Sequence, residues 1–145
     1  MIREIFNKLF GKREEISFRQ SFDLTELAVV TFYQGETKVN LLLDTGSNNN
    51  VIDKTSLEAL YYEEEGMTSE LAGLEGNAQT CKVCNITLHY KDKEYTYPYV
   101  VADMSKIFAD IKKTTGVTVH GVMGSKFFHK YKYVLDFDKL VAYSK

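Results

Sequence analysis

An apolar run, Val39-Asn40-Leu41-Leu42-Leu43, leads without a break into Asp44-Thr45-Gly46-Ser47, and a second apolar pair, Val51-Ile52, follows three asparagines. A short run of this kind, rich in branched side chains, suits a buried strand. Gly46 permits a sharp turn where a side chain would clash, and Thr45 and Ser47 supply hydroxyls able to hold the Asp44 carboxylate. The chain is thereby constrained to present one oriented carboxylate at a strand end.

The surroundings read as mainly β. Ten Tyr and nine Phe stand against no Trp and a single Pro, a usage that fits pleated, half-buried surfaces. Strand character fills residues 16–43, with a hairpin of 27–33 and 37–43 around Gln34-Gly35-Glu36. A second hairpin joins 80–90 to 94–102 through Lys91-Asp92-Lys93, residues 117–123 restore strand character, and 133–136 pairs with 140–144 around Phe137-Asp138-Lys139. Three short helices are expected in between. Asp53 or Thr55 caps one carrying Leu57, Leu60 and Tyr61, before the acidic residues 63–65 form a solvated loop. Residues 105–115 make another, with Ile107, Phe108 and Ile111 on one side and Gly116 behind, and 125–130 the third. Ahead of all this, Ile2, Ile5, Phe6, Leu9 and Phe10 mark one face of an amphipathic segment over residues 1–13, expected to pack on the domain or on a second subunit rather than on a membrane.

Several function classes drop out. With 18 Lys and Arg against 20 Asp and Glu, the net charge of -2 leaves no broad basic footprint, so no nucleic-acid partner is expected. Apolar runs are too short to span a bilayer, and residues 1–15, with Glu4, Glu14 and Glu15, lack the pattern of a secretory signal, so a cytoplasmic location is expected. Cys81 and Cys84 are too few for a disulfide framework or a four-thiolate site, and strand positions i and i+3 face opposite ways. His89, His120 and His129 lack ligand spacing, so no metal is expected. Asn85-Ile86-Thr87 reads as ordinary strand, and Tyr90, Tyr95, Tyr97 and Tyr99 read as alternating strand burial.

The Asp44-Thr45-Gly46-Ser47 segment resembles the active-site loop of aspartic proteases, and the chain length resembles the retropepsin-like branch, in which each chain supplies half a site. Leu71-Ala72-Gly73-Leu74-Glu75-Gly76 resembles the tip of that family's flap hairpin. His120-Gly121-Val122-Met123-Gly124-Ser125 resembles its second landmark, two apolar residues and a glycine before a short helix. Asn48-Asn49-Asn50 departs from the retroviral pattern, and residues 133–145 look more like the closing hairpin of cellular and bacterial members.

The resemblance implies a retropepsin-like acid protease domain over residues 14–145, a closed or partly closed β-barrel with one to three short helices. It implies water-mediated hydrolysis of a polypeptide by two carboxylates that share a proton, without a cofactor. Asp44 would be catalytic, Thr45 and Gly46 would shape the loop, and Ser47 would hydrogen-bond the carboxylate. Leu71, Ala72, Gly73, Leu74, Glu75 and Gly76 would close over substrate, while Val122, Met123 and Gly124 would support the loop. No second Asp-Thr-Gly occurs, so the partner carboxylate would be the Asp44 of another copy in a homodimer. The rivals are a peptide-binding module of the same fold that does not cleave, and an assembly protein whose Asp44 loop is only a turn.

Overall fold

The computed structural model describes residues 15–72 and 78–145; residues 1–13, expected to form an amphipathic segment, lie outside them. The elements run α1 (Phe18–Thr25), β1 (Val29–Gln34), β2 (Thr37–Leu43), β3 (Asn50–Asp53), α2 (Lys54–Leu57), β4 (Glu63–Ala72), β5 (Ala78–Tyr90) and β6 (Lys93–Ala102). They continue with α3 (Ser105–Thr115), β7 (Gly121–Met123), α4 (Ser125–Lys130), β8 (Tyr133–Asp136) and β9 (Val141–Ser144). None of these helices is long and apolar enough to cross a membrane.

Seven strands form one sheet in the order β1-β2-β7-β3-β6-β5-β4, and a pairing of Tyr33 with His89 returns β5 to β1. Six strands therefore close a barrel, which removes their free edges, while β4 extends outward as a hairpin arm with β5. Alternation on the β5–β6 hairpin decides which side chains enter. Cys84, Ile86 and Leu88 are buried from β5, and Tyr95 and Tyr99 from β6. Phe127 of α4 closes this end of the barrel, with ring centroids 5.5 Å from Tyr95, 5.4 Å from Tyr97 and 4.9 Å from Tyr131. A second apolar cluster contains Ile16, Val29, Val51, Val100, Phe108, Val117, Val119 and Val122. No disulfide links Cys81 to Cys84.

Several expectations need correction. Within the expected strand region 16–43, residues 18–25 form a helix. Ser17 and Gln20 build a capping box, and Glu26, at φ 61°, ends the helix in the left-handed conformation. Phe18 and Phe22, four residues apart, face Phe137 of the β8–β9 turn at 5.2 and 6.0 Å. The described helices thus number four, one more than expected. The acidic residues 63–65 are not a loop but the start of β4, paired with β5 through Glu63–Asn85 and Glu64–Cys84. An exposed edge position tolerates such charge and discourages pairing with other chains. Only Gly121–Met123 of the stretch 117–123 is strand, because Val117 and Val119 pack in the second cluster before the chain enters the sheet. Asp53 precedes α2 without a side-chain cap bond, and its carboxylate accepts the Met104 amide at 2.8 Å. Helix α2 ends at Leu57, which leaves Tyr61 89 % exposed, and on α3 Phe108 is buried while Ile107 is exposed.

Candidate active site

The strand that ends at Asp44 and the strand that leaves its loop both pair with β7. Strand β2 runs parallel to it, with Leu41, Leu42 and Leu43 opposite Gly121, Val122 and Met123, and β3 runs antiparallel, with Val51 opposite Val122 and Ile52 opposite Gly121. A Cβ on Gly121 would lie 2.4 Å from the Val51 carbonyl oxygen, so the approach of these strands requires glycine there. Val122 and Met123 are buried beneath the loop, Val122 beside Val51 in the second cluster and Met123 in the barrel core.

The loop is stitched onto the exit of β7. The Asp44 amide donates to the Met123 carbonyl at 2.9 Å, and the Ser47 amide closes the turn on the Asp44 carbonyl at 3.1 Å. The Ser125 amide donates to the Ser47 carbonyl at 2.7 Å. Between these ties, the Gly124 amide donates to Oδ1 of Asn50 at 2.7 Å, in a buried position. Gly124 has no room for a side chain, since a Cβ would sit 2.6 Å from the carbonyl oxygens of both Ser47 and Asn49.

Asp44 itself is half-buried, with Thr45 and Gly46 exposed beside it. Oδ1 of Asp44 accepts the Gly46 amide at 2.9 Å, which fixes the carboxylate on its own turn. The Ser47 hydroxyl does not reach that carboxylate, contrary to the sequence-based expectation; it donates to the Asn49 carbonyl at 2.8 Å, because the turn folds it back along the chain. A carboxylate so placed has one oxygen oriented by the backbone and can act as a base or accept a proton from a group opposite.

Leu71 and Ala72 end β4, opposite Gln79 and Ala78 of β5, while Gly73, Leu74, Glu75 and Gly76 lie outside the described residues. The Tyr97 and Tyr99 phenols titrate above their ordinary range because burial disfavours the phenolate. His120 is tied into the scaffold: its Nδ1 accepts the Asn40 amide at 2.8 Å, and Asn40 Oδ1 in turn accepts the Thr31 hydroxyl at 2.6 Å. Among the described residues, no group of three or more His, Cys, Asp or Glu is placed to hold a metal ion.

Two residues that build this geometry carried little signal in the sequence. Asn50 is a polar residue opening an apolar strand, a hint that its side chain has a fixed partner. Asp53 is 6 % exposed and anchors the start of α3 through Met104.

No protein-family model matches the chain, and no curated protein matches it by sequence. Solved structures do match by shape. The protease of EIAV, solved with the inhibitor HBY-793, superposes with a TM-score of 0.58 at 17 % identity, covering 79 % of this chain and 97 % of that one. The retroviral protease-like domain of Ddi1 from Leishmania major superposes with a TM-score of 0.55 at 10 % identity, covering 81 % of this chain and 86 % of that one. The chain has a retropepsin-like fold.

Proposed function

We propose that residues 14–145 are an aspartic-type endopeptidase that hydrolyses polypeptides as a homodimer, with Asp44 of each chain facing the other. The observation that carries this reading is the Asp44 turn itself, with Oδ1 held 2.9 Å from the Gly46 amide and the residue seated on Met123, at the end of β2 in a retropepsin-like fold. One chain carries one such loop, so a second copy supplies the second carboxylate.

The chemistry follows from a pair of carboxylates that retains one proton, because like charges at close range cannot both ionise. The ionised Asp44 takes a proton from water while the oxygen of that water bonds to the peptide carbonyl carbon. The protonated Asp44 gives its proton to the carbonyl oxygen. The resulting tetrahedral diol collapses as one hydroxyl gives its proton to the now ionised carboxylate, the C–N bond breaks, and the amine leaves with the proton of the other carboxyl, which restores the starting pair. Thr45 and Gly46 shape the turn, Ser47 braces it through Asn49, and Val122, Met123 and Gly124 support it from below. The segment Leu71-Ala72-Gly73-Leu74-Glu75-Gly76 closes over an extended substrate whose backbone pairs with it. This work takes place in the cytoplasm and needs no cofactor.

Replacing Asp44 by Asn tests the reading, because the amide keeps the shape but cannot act as base or share a proton. Asp44→Asn should abolish cleavage of a peptide library while circular dichroism stays that of the parent. Excess Asp44→Asn chains should also poison the parent through mixed dimers, beyond simple dilution. Retained cleavage by the mutant would refute the role of Asp44, and loss by dilution alone would refute the shared site.

A further inference from the structure

We infer that Asn50 is a positioning residue for the Asp44 loop, its side-chain carbonyl fixing the Gly124 amide onto which that loop is stitched; this rests on the reading of Asp44 as catalytic. Asn50 is fully buried at the first position of β3. Its Oδ1 is the side-chain acceptor of a seam otherwise made by main-chain atoms: Asp44 to Met123 on one side, Ser125 to Ser47 on the other. Main-chain ties of that kind are open to any sequence, whereas this one depends on the identity of residue 50.

The seam is tight at this point, since the Ser47 and Asn49 carbonyls close on Gly124 and leave no space for a Cβ. Loss of the Asn50 acceptor would leave a buried Gly124 amide unpaired, and relief requires the strand exit or the loop to move. Either movement shifts Met123, whose carbonyl seats Asp44. On its other branch, Nδ2 of Asn50 faces the buried Tyr99 phenol, its neighbour in the β3–β6 register, without a hydrogen bond of good geometry among the described residues. The well-formed polar tie of the side chain is the one that Oδ1 makes to the Gly124 amide at 2.7 Å.

Three near-isosteric or smaller variants of the full chain test this. Asn50→Leu fills the volume and removes the acceptor, Asn50→Ala removes it without adding a branch, and Asn50→Asp, assayed in acid where a buried carboxyl is neutral, keeps an acceptor of the same shape. Loss of the acceptor should speed amide exchange at Gly124 about 10-fold or more and shift the carbon resonance of the Asp44 carboxyl. It should also lower kcat 10- to 100-fold with KM within about twofold, as expected for a misplaced catalytic group. Asn50→Asp should restore all three. A folded Asn50→Leu or Asn50→Ala protein with parental Gly124 exchange and an unmoved Asp44 resonance would overturn the inference. The two resonance measurements need no turnover, so they decide the role of Asn50 even if the parent protein proves not to cleave peptides.

Discussion

Gly124 shows how little freedom single residues have near Asp44. A methyl group there would meet two carbonyl oxygens at 2.6 Å, and neither belongs to a side chain that can swing away. Gly124→Ala is therefore expected to cost about 1–3 kcal/mol, the usual penalty for overpacking a tight site. It should also reduce turnover, because the Ser47 and Asn49 backbone must retreat with the loop. Urea unfolding followed beside peptide cleavage checks both, and parental stability would show that the seam is looser than its geometry implies. Gly46 differs: a Cβ there would lie 3.1 Å from the Asp44 carboxylate, so a substitution would press on the proposed catalytic group itself.

At the scale of elements, β4 has β5 as its single strand neighbour among the described residues. The two strands pair with each other up to Ala72 and Ala78, and only β5 continues into the barrel. Pairing shifts between Glu64 and Thr68, where Gly66 takes φ 65°, so the arm bends at a position that favours glycine. If residues 71–76 cover bound substrate, bulk at their glycines should hinder closure more than folding. Gly73→Val and Gly76→Val are expected to lower kcat/KM about 10-fold or more while thermal unfolding stays within a few degrees of the parent. Steady-state kinetics and a melting curve on each variant separate the effects, and parental kinetics in both would move the substrate-covering role elsewhere. Helix α1 teaches a different lesson about elements: Phe18 and Phe22 anchor it to the core, and its start is marked by the Ser17–Gln20 box rather than by a long periodic stripe.

Across the whole molecule, tyrosine burial sets an upper pH limit for the fold. Burial, reinforced by the hydrogen bond to Glu15, pushes the Tyr33 phenol up to about 12, and burial holds Tyr97, Tyr99 and Tyr133 above their ordinary value as well. In the unfolded chain these phenols ionise near pH 10, so they favour the native state fully below that point. Their contribution is lost as pH rises from about 10 through the higher folded values. In an alkaline titration, phenolate absorbance from these four should appear only above about pH 10 and together with loss of the far-ultraviolet dichroism; their ionisation near pH 10 with the fold intact would contradict this. The amino-acid sequence by itself determined the hairpins, the helix 105–115 with its Gly116 stop, and the pairing of the Asp44 turn with the Gly124 landmark as the region to watch. Those signals are local: strand alternation, turn residues and a glycine at a left-handed position are written within a few residues of each other. Only the tertiary structure decided that β7 lies between β2 and β3, that the Ser47 hydroxyl turns to Asn49 rather than to Asp44, and that Asn50 holds Gly124. Asn50 and Gly124 stand 74 positions apart, and a contact at that separation arises only when the barrel closes and brings both strand ends to the same place.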